Sequence, residues 1–292
     1  MYRRSLEYGL GITAVSKVFY SVANFIYLAI PQYSSINIEN NKNIFNMCFE
    51  DKINQSNIEK IQLFKIIAMF ALFDLFIDLK NPNTAGDSFK KKYENLPSSS
   101  DAEIILKETF RIAKIIRNAS IHNLSSLQQI DQILLINYSF NNTNFNLEIS
   151  EKGLTLFHSI IYLYISEING DKEYFIGLIR AMYNDMKDEI ESIQDEFGSI
   201  LNSISNEIKL GYNIRDTLLN PIYTIDNTKV TFTNILNVKN LGKLDLFIKL
   251  NNNIYLIPSE ALDKNKTITL SEIKEKWTYT FNHPLFSKVI FD

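Results

Sequence analysis

Ser100-Asp101-Ala102-Glu103-Ile104-Ile105-Leu106-Lys107-Glu108-Thr109-Phe110-Arg111-Ile112-Ala113-Lys114-Ile115-Ile116-Arg117-Asn118-Ala119-Ser120-Ile121-His122 is the stretch on which the reading of the fold turns. Ser100, followed three residues later by Glu103, forms a capping box. In such a box each side chain takes up a backbone N–H that the first helical turn leaves without a partner. Ile104, Ile105, Ile112, Ile115 and Ile116 then recur at a spacing that lays them along one side of a 3.6-residue helix. The spacing predicts a helix from about 100 to 122 with one core-facing stripe. It also orders the polar end. Asn118 and His122 are four apart and share a face, whereas Arg117 and His122, five apart, lie about 140° round the axis from each other. Only a long side chain spans that angle, and arginine has the reach.

Working upstream, residues 57–80 read as another helix, with Ile61, Phe64, Ile67, Phe70, Phe73 and Leu75 giving a wide apolar face. It ends at Asn81-Pro82-Asn83, because proline cannot continue a helix. A first helical stretch over 8–31 is closed by Pro31, and an Asn-rich polar loop follows it. Lys90-Lys91-Lys92-Tyr93 reads as a solubilising run in a loop, although charge beside a ring would also suit a nucleic acid. Downstream the period changes. Ile133-Leu134-Leu135-Ile136 and Phe145-Asn146-Leu147-Glu148-Ile149 flank Asn141-Asn142-Thr143-Asn144, a β-hairpin at about 130–149.

Helical pattern returns over 151–168, and a long charged helix is expected from Asp171 to near Leu210, weakened at Gly198. The acidic run from Asp185 to Glu196 is read as its solvated face, with mimicry of RNA or contact with a basic antitoxin as the sharper alternative. Short strands follow at 229–233, 244–249 and 254–257, the last two joined by Asn251-Asn252-Asn253. The expectation is therefore a mainly α protein. It has a helical domain over 1–218 carrying the hairpin, and a small α+β region over 219–292.

Composition narrows the function. With 292 residues, 46% hydrophobic and 22% charged, the chain can bury a core and is not a disordered segment. A formal charge of −3 creates no global field toward a polyanion, so contact with one needs a local patch. One cysteine (Cys48) excludes an internal disulfide and a Cys-rich zinc site, and three histidines make a histidine metal cage improbable. No metal or cofactor is expected. Arg3 and Arg4 ahead of the apolar stretch Val18–Pro31 imitate a targeting signal. Ser21 and Asn24 interrupt that stretch, however, and it is shorter than the roughly 20 apolar residues of a membrane span. Asp74 and Asp78 break the apolar run from Ile66 to Leu79. A cytoplasmic protein without a membrane segment is expected.

The chemistry concentrates at the end of the quoted helix. Arg117 offers a permanently charged planar fork for a phosphate, His122 a group that accepts or donates a proton near neutrality, and Asn118 a neutral hydrogen-bonding tip. Together they suit in-line attack of a ribose 2′-OH on its neighbouring phosphate, with a base removing the proton and a cation offsetting charge on the phosphoryl oxygens. Arg111 and Lys114, about two turns and one turn earlier, are candidates for lining an RNA path; a solvated face is the plainer reading. His158 reads as a core or interface histidine, His283 is given no role, and Trp277 is assigned to the core.

Arg117, Asn118 and His122 match residue by residue the signature that defines the HEPN superfamily: Arg, a polar residue, three to five residues, then His, on a helix of a mostly helical bundle. The chain resembles that superfamily over residues 1 to about 215, specifically so at 117–122. The resemblance implies a metal-independent endoribonuclease that leaves a 2′,3′-cyclic phosphate and a 5′-OH. It implies a homodimer that pairs two copies of the motif across a cleft, acting as a toxin of a toxin–antitoxin pair or an antiviral effector, with an antitoxin or regulatory protein as possible partner. The hairpin after the motif departs from the minimal bundle. Two plainer readings stand beside this one. The first is a cation pair favoured by the helix macrodipole. The second is a non-catalytic HEPN-like module that binds a nucleotide or a partner.

Overall fold

A computed structural model of the chain describes residues 58–165, 172–212, 214–219, 221–233, 235 and 243–279, with the strands Gln32–Ile36 (β1) and Phe45–Met47 (β2). The expected helix over 8–31, the targeting-like stretch and His283 lie outside these residues. The chain separates into two compact units that alternate along the sequence. One is drawn mainly from Asp51–Glu167 and Met182–Ser205, the other from Ala29–Glu50, Ile168–Ala181 and Asn206–Asp292.

In the first unit, helix α1 (Ile58–Lys80) stops just before Pro82. Helix α2 (Phe89–Asn95) starts at an N-cap in which Ser88 accepts from the Lys91 N–H. The Lys90–Lys92 run is therefore helical, not a loop, and Lys92 is buried between Asp74 (2.7 Å) and Asp78 (2.6 Å). Burial alone would lower the Lys92 pKa; the hydrogen bonds and charges of the two aspartates outweigh it and raise it. Helix α3 (Asp101–His122) carries the expected capping box of Ser100 and Glu103. It packs on α1 through Phe110 and Phe73, edge to face at 6.1 Å.

Strands β3 (Leu127–Ile130), β4 (Ile133–Phe140) and β5 (Thr143–Ser150) follow as antiparallel neighbours, and helix α4 (Glu151–Ile165) comes next. Their turns are two-residue loops in which both residues take positive φ: Asp131-Gln132 (48° and 66°) and Asn141-Asn142 (48° and 61°). This geometry matches the twist of the strands, and asparagine and aspartate tolerate it better than most residues. The register pairs Leu134 with Ile149, Ile136 with Leu147 and Tyr138 with Phe145. One face of the hairpin is thus apolar and lies against α3, whose Ile112, Ile115 and Ile116 are buried.

The long helix expected over 171–210 is not formed. Helix α5 (Lys172–Asp188) ends early, and Ile190–Gln194 becomes strand β6, pairing with β5 to complete a sheet in the order β3-β4-β5-β6. Ile190 and Ile193, three apart, read as one helix face, and a bulge that skips Glu191 puts both on the same side of the strand, opposite Ile149 and Leu147. Pairing decides between helix and strand, because a continued helix would leave the far edge of β5 open and would run through Gly198, which here takes a φ of +110° in a tight turn from Asp195.

The second unit is built on a five-stranded sheet. β7 (Ile214–Leu218) lies parallel to β1 and to β10 (Lys243–Leu250), with β11 (Asn253–Pro258) and β2 as antiparallel edges. A second sheet joins β8 (Tyr223–Asp226), β9 (Lys229–Phe232) and β12 (Thr267–Thr269), ahead of helix α6 (Leu270–Lys276). Trp277 is buried as expected. With 47% helix and 29% strand among the confidently placed residues, the class is α+β, and the expectation of a mainly α protein is corrected. The physical reason is that β1 pairs with β7 across some 180 residues of sequence, a partnership that leaves no local periodicity to read.

Candidate active site

Three successive turns of α3 aim polar side chains away from the isoleucine stripe, and each turn meets a different environment. The first turn is sealed. Arg111 is 2% exposed. Its Nε and Nη2 donate to Asp195 Oδ1 at 3.0 and 2.7 Å, its Nη1 to the carbonyl of Ile200 at 2.8 Å, and its Nη2 also to the carbonyl of Gly198. Glu108, wholly buried, accepts from Tyr93 Oη at 2.9 Å and Asn202 Nδ2 at 2.5 Å, and pairs with Arg111 at 3.4 Å. Burial works to lower the Arg111 pKa; the hydrogen bond and charge of Asp195, with Glu108 behind it, prevail and raise it.

The next turn is sealed too. Lys114, 4% exposed, pairs with Glu196 and lies over the rings of Phe145 (5.3 Å) and Phe197 (5.1 Å). Arg111 and Lys114 therefore do not line an RNA path. Their charge is spent on Asp195 and Glu196, and the acidic run that contains those residues is correspondingly no solvated helix face at its end. Tyr93, beside Lys90–Lys92 in the sequence, is likewise buried against Phe197 (4.1 Å) and unavailable for stacking on a base.

The third turn is open. Arg117 Nη1 donates to Asn118 Oδ1 at 2.9 Å and contacts His122 Nε2 at 3.2 Å, so the three residues singled out by spacing do converge. A guanidinium has donors only, so Nε2 is the acceptor in this contact and the imidazole proton sits on Nδ1. His122 is exposed, and Arg117 and Asn118 are half-buried. Among the described residues Arg117 meets no carboxylate. Its guanidinium instead lies over the rings of Phe70 and Phe89. The arrangement sets an imidazole nitrogen, its lone pair turned to the guanidinium, next to a cation that meets no carboxylate among the described residues, at the exposed end of a helix. Two exposed apolar residues, Ile121 and Leu124, flank it.

Tyr138, on the hairpin, borders the same turn and was not singled out by the sequence. Its ring stacks on Phe145 at 4.8 Å, nearly parallel, and its hydroxyl is enclosed with no hydrogen bond of normal geometry among the described residues. Burial pushes its pKa up to about 12, against a smaller opposing effect of the nearby Asn118 amide. Only the alternation of the hairpin could have pointed to it, by placing residue 138 on the same face as Leu134 and Ile136. His158 is only partly exposed, beside Phe157 at 5.3 Å, and burial pushes its pKa down to about 4.

Among the described residues no group of three or more His, Cys, Asp or Glu side chains is placed to hold a metal ion, and no helix is long and apolar enough to cross a membrane. Comparison of the chain with protein-family profiles, with curated proteins and with solved structures finds no match in any of the three.

Proposed function

We propose that the protein is a metal-independent endoribonuclease of the HEPN type, the likeness resting on the motif and on the helix that carries it. One observation carries the reading: the 3.2 Å contact between Arg117 and His122, with the imidazole as acceptor and the cation meeting no carboxylate among the described residues. In this mechanism the Arg117 N–H turns from His122 Nε2 to the phosphate, and the freed Nε2 lone pair takes the proton of a ribose 2′-OH. The 2′ oxygen attacks the adjacent phosphorus and the bond to the 5′ oxygen breaks, leaving a 2′,3′-cyclic phosphate and a 5′-OH once that oxygen is protonated. Arg117 stabilises the charge that builds on the non-bridging oxygens, and Asn118 holds the guanidinium fork.

A homodimer that brings two copies of the motif together supplies the second proton carrier, and the exposed Ile121 and Leu124 beside His122 are suited to such a contact. A toxin or antiviral effector acting in the cytoplasm, held in check by an antitoxin or regulatory protein, is the role such chemistry serves. In the test, wild type and the Arg117→Ala and His122→Ala variants are incubated with RNA in EDTA. Wild type cuts, and each variant loses at least about 100-fold in rate while staying folded. Loss of wild-type cleavage on chelation, or full activity of either variant, contradicts the mechanism.

A further inference from the structure

Other cations drawn into the fold are answered by carboxylates: Lys92 by Asp74 and Asp78, Arg111 by Asp195, Lys114 by Glu196, Arg180 by Glu207 and Arg215 by Asp245. Arg117 is answered by rings. Its guanidinium carbon lies 5.8 Å from the centroid of Phe70 and 5.6 Å from that of Phe89. The two rings are 5.0 Å apart and tilted by 54°, and Phe89 is in turn held against Phe110 at 5.4 Å. A carboxylate would have fixed the guanidinium by cancelling its charge and occupying its N–H groups. An aromatic face attracts the cation through its quadrupole and does neither. With Nη1 engaged by Asn118 and His122, the Nε and Nη2 donors and the net charge stay available for an anionic oxygen.

We propose that Phe89, with Phe70 beneath it, is a positioning residue for Arg117: an aromatic seat that aligns the guanidinium for a phosphodiester without neutralising it. The seat has its own support. Phe89 opens α2, whose start is fixed by the Ser88 cap and whose body is clamped to α1 through buried Lys92. Asp74 and Asp78 thus act on Arg117 at one remove, by holding in place the short helix that presents the ring. The inference rests on the ribonuclease reading for the reaction it serves, but the seat itself has a signature independent of RNA. A guanidinium over two ring faces lies in their shielding cone, so the Arg117 Nε–H proton resonates upfield of a free arginine.

The test uses the full-length protein and the variants Phe89→Leu and Phe89→Tyr, with the Arg117 resonance identified by its absence from Arg117→Ala. In Phe89→Leu the resonance moves downfield and kcat on a short RNA falls about tenfold, with KM changed less. Phe89→Tyr, which keeps a ring face, returns both to within about twofold of wild type. An unshifted resonance in Phe89→Leu, or a loss of rate that Phe89→Tyr does not restore, overturns the proposal. If wild type cuts no RNA, the ribonuclease reading falls, and the resonance alone decides whether the seat exists.

Discussion

Arg111 and Arg117 stand six residues apart on one helix and are treated in opposite ways. Arg111 is enclosed and reaches a carboxylate 84 positions along the chain together with two backbone carbonyls; Arg117 ends the same helix against two rings, an asparagine and a histidine. The difference teaches what a buried cation is for. A guanidinium whose donors and charge are consumed inside the protein ties distant segments together. One whose charge is left over is available to a ligand. The two histidines repeat the contrast. His158 is tucked beside Phe157 and held neutral by its surroundings, whereas His122 is exposed and presents a lone pair.

The largest effect that would sharpen this comparison is on the sealed side. Asp195→Ala removes the nearer of the two carboxylates that answer buried Arg111, leaving Glu108 at 3.4 Å, and is expected to remove about 3 kcal/mol of stability, read by urea unfolding. Arg117→Ala should stay within about 0.5 kcal/mol of wild type in the same measurement. Equal losses for the two would break the comparison. Lys92→Met keeps the packing of the stem but removes the clamp on α2. Because Asp74 and Asp78 are about one-quarter exposed, the expected loss is smaller, about 1–2 kcal/mol.

Tyr138→Phe removes an enclosed hydroxyl that has no hydrogen bond of normal geometry among the described residues, so the protein should gain up to about 1 kcal/mol, seen as a higher Tm. A fall in Tm would mean that the hydroxyl is satisfied in solution. The smallest effect concerns pH. His158 stays neutral in the folded protein down to about pH 4 but titrates near 6.5 once unfolded, so the unfolded chain binds more protons in that window. Its contribution is complete above about 6.5 and is lost progressively as pH falls toward 4; His158→Phe should flatten that part of the stability–pH curve, and an unchanged slope would show that other groups set it.

What the sequence discloses and what it hides divide along contact range. The capping box at Ser100 and Glu103, the helix stop at Pro82 and the paired asparagines at 141–142 are local rules, and the structure obeys each of them. The Arg117, Asn118 and His122 group is legible for the same reason, since all three sit within two turns. Asp195 and Glu196 look like more of a charged helix until β6 pairs with β5 and swings them onto α3. Phe89 and Tyr138 reach the site from an adjoining helix and a hairpin, and no spacing in the sequence ties either residue to position 117 or 118. The parallel sheet of the second unit is hidden in the same way, because β1 joins β7 and β10 from the far end of the sequence.

The most direct test of the central claim, that the open turn of α3 carries ribonuclease chemistry, is the identity of the ends it leaves. Purified protein is incubated with a short RNA of known sequence in the presence of chelator, and the products are read by mass spectrometry. A 2′,3′-cyclic phosphate on one fragment and a 5′-OH on the other, both absent with His122→Ala, are predicted. Fragments ending in 5′-phosphate and 3′-OH, or equal cleavage by wild type and His122→Ala, would contradict it.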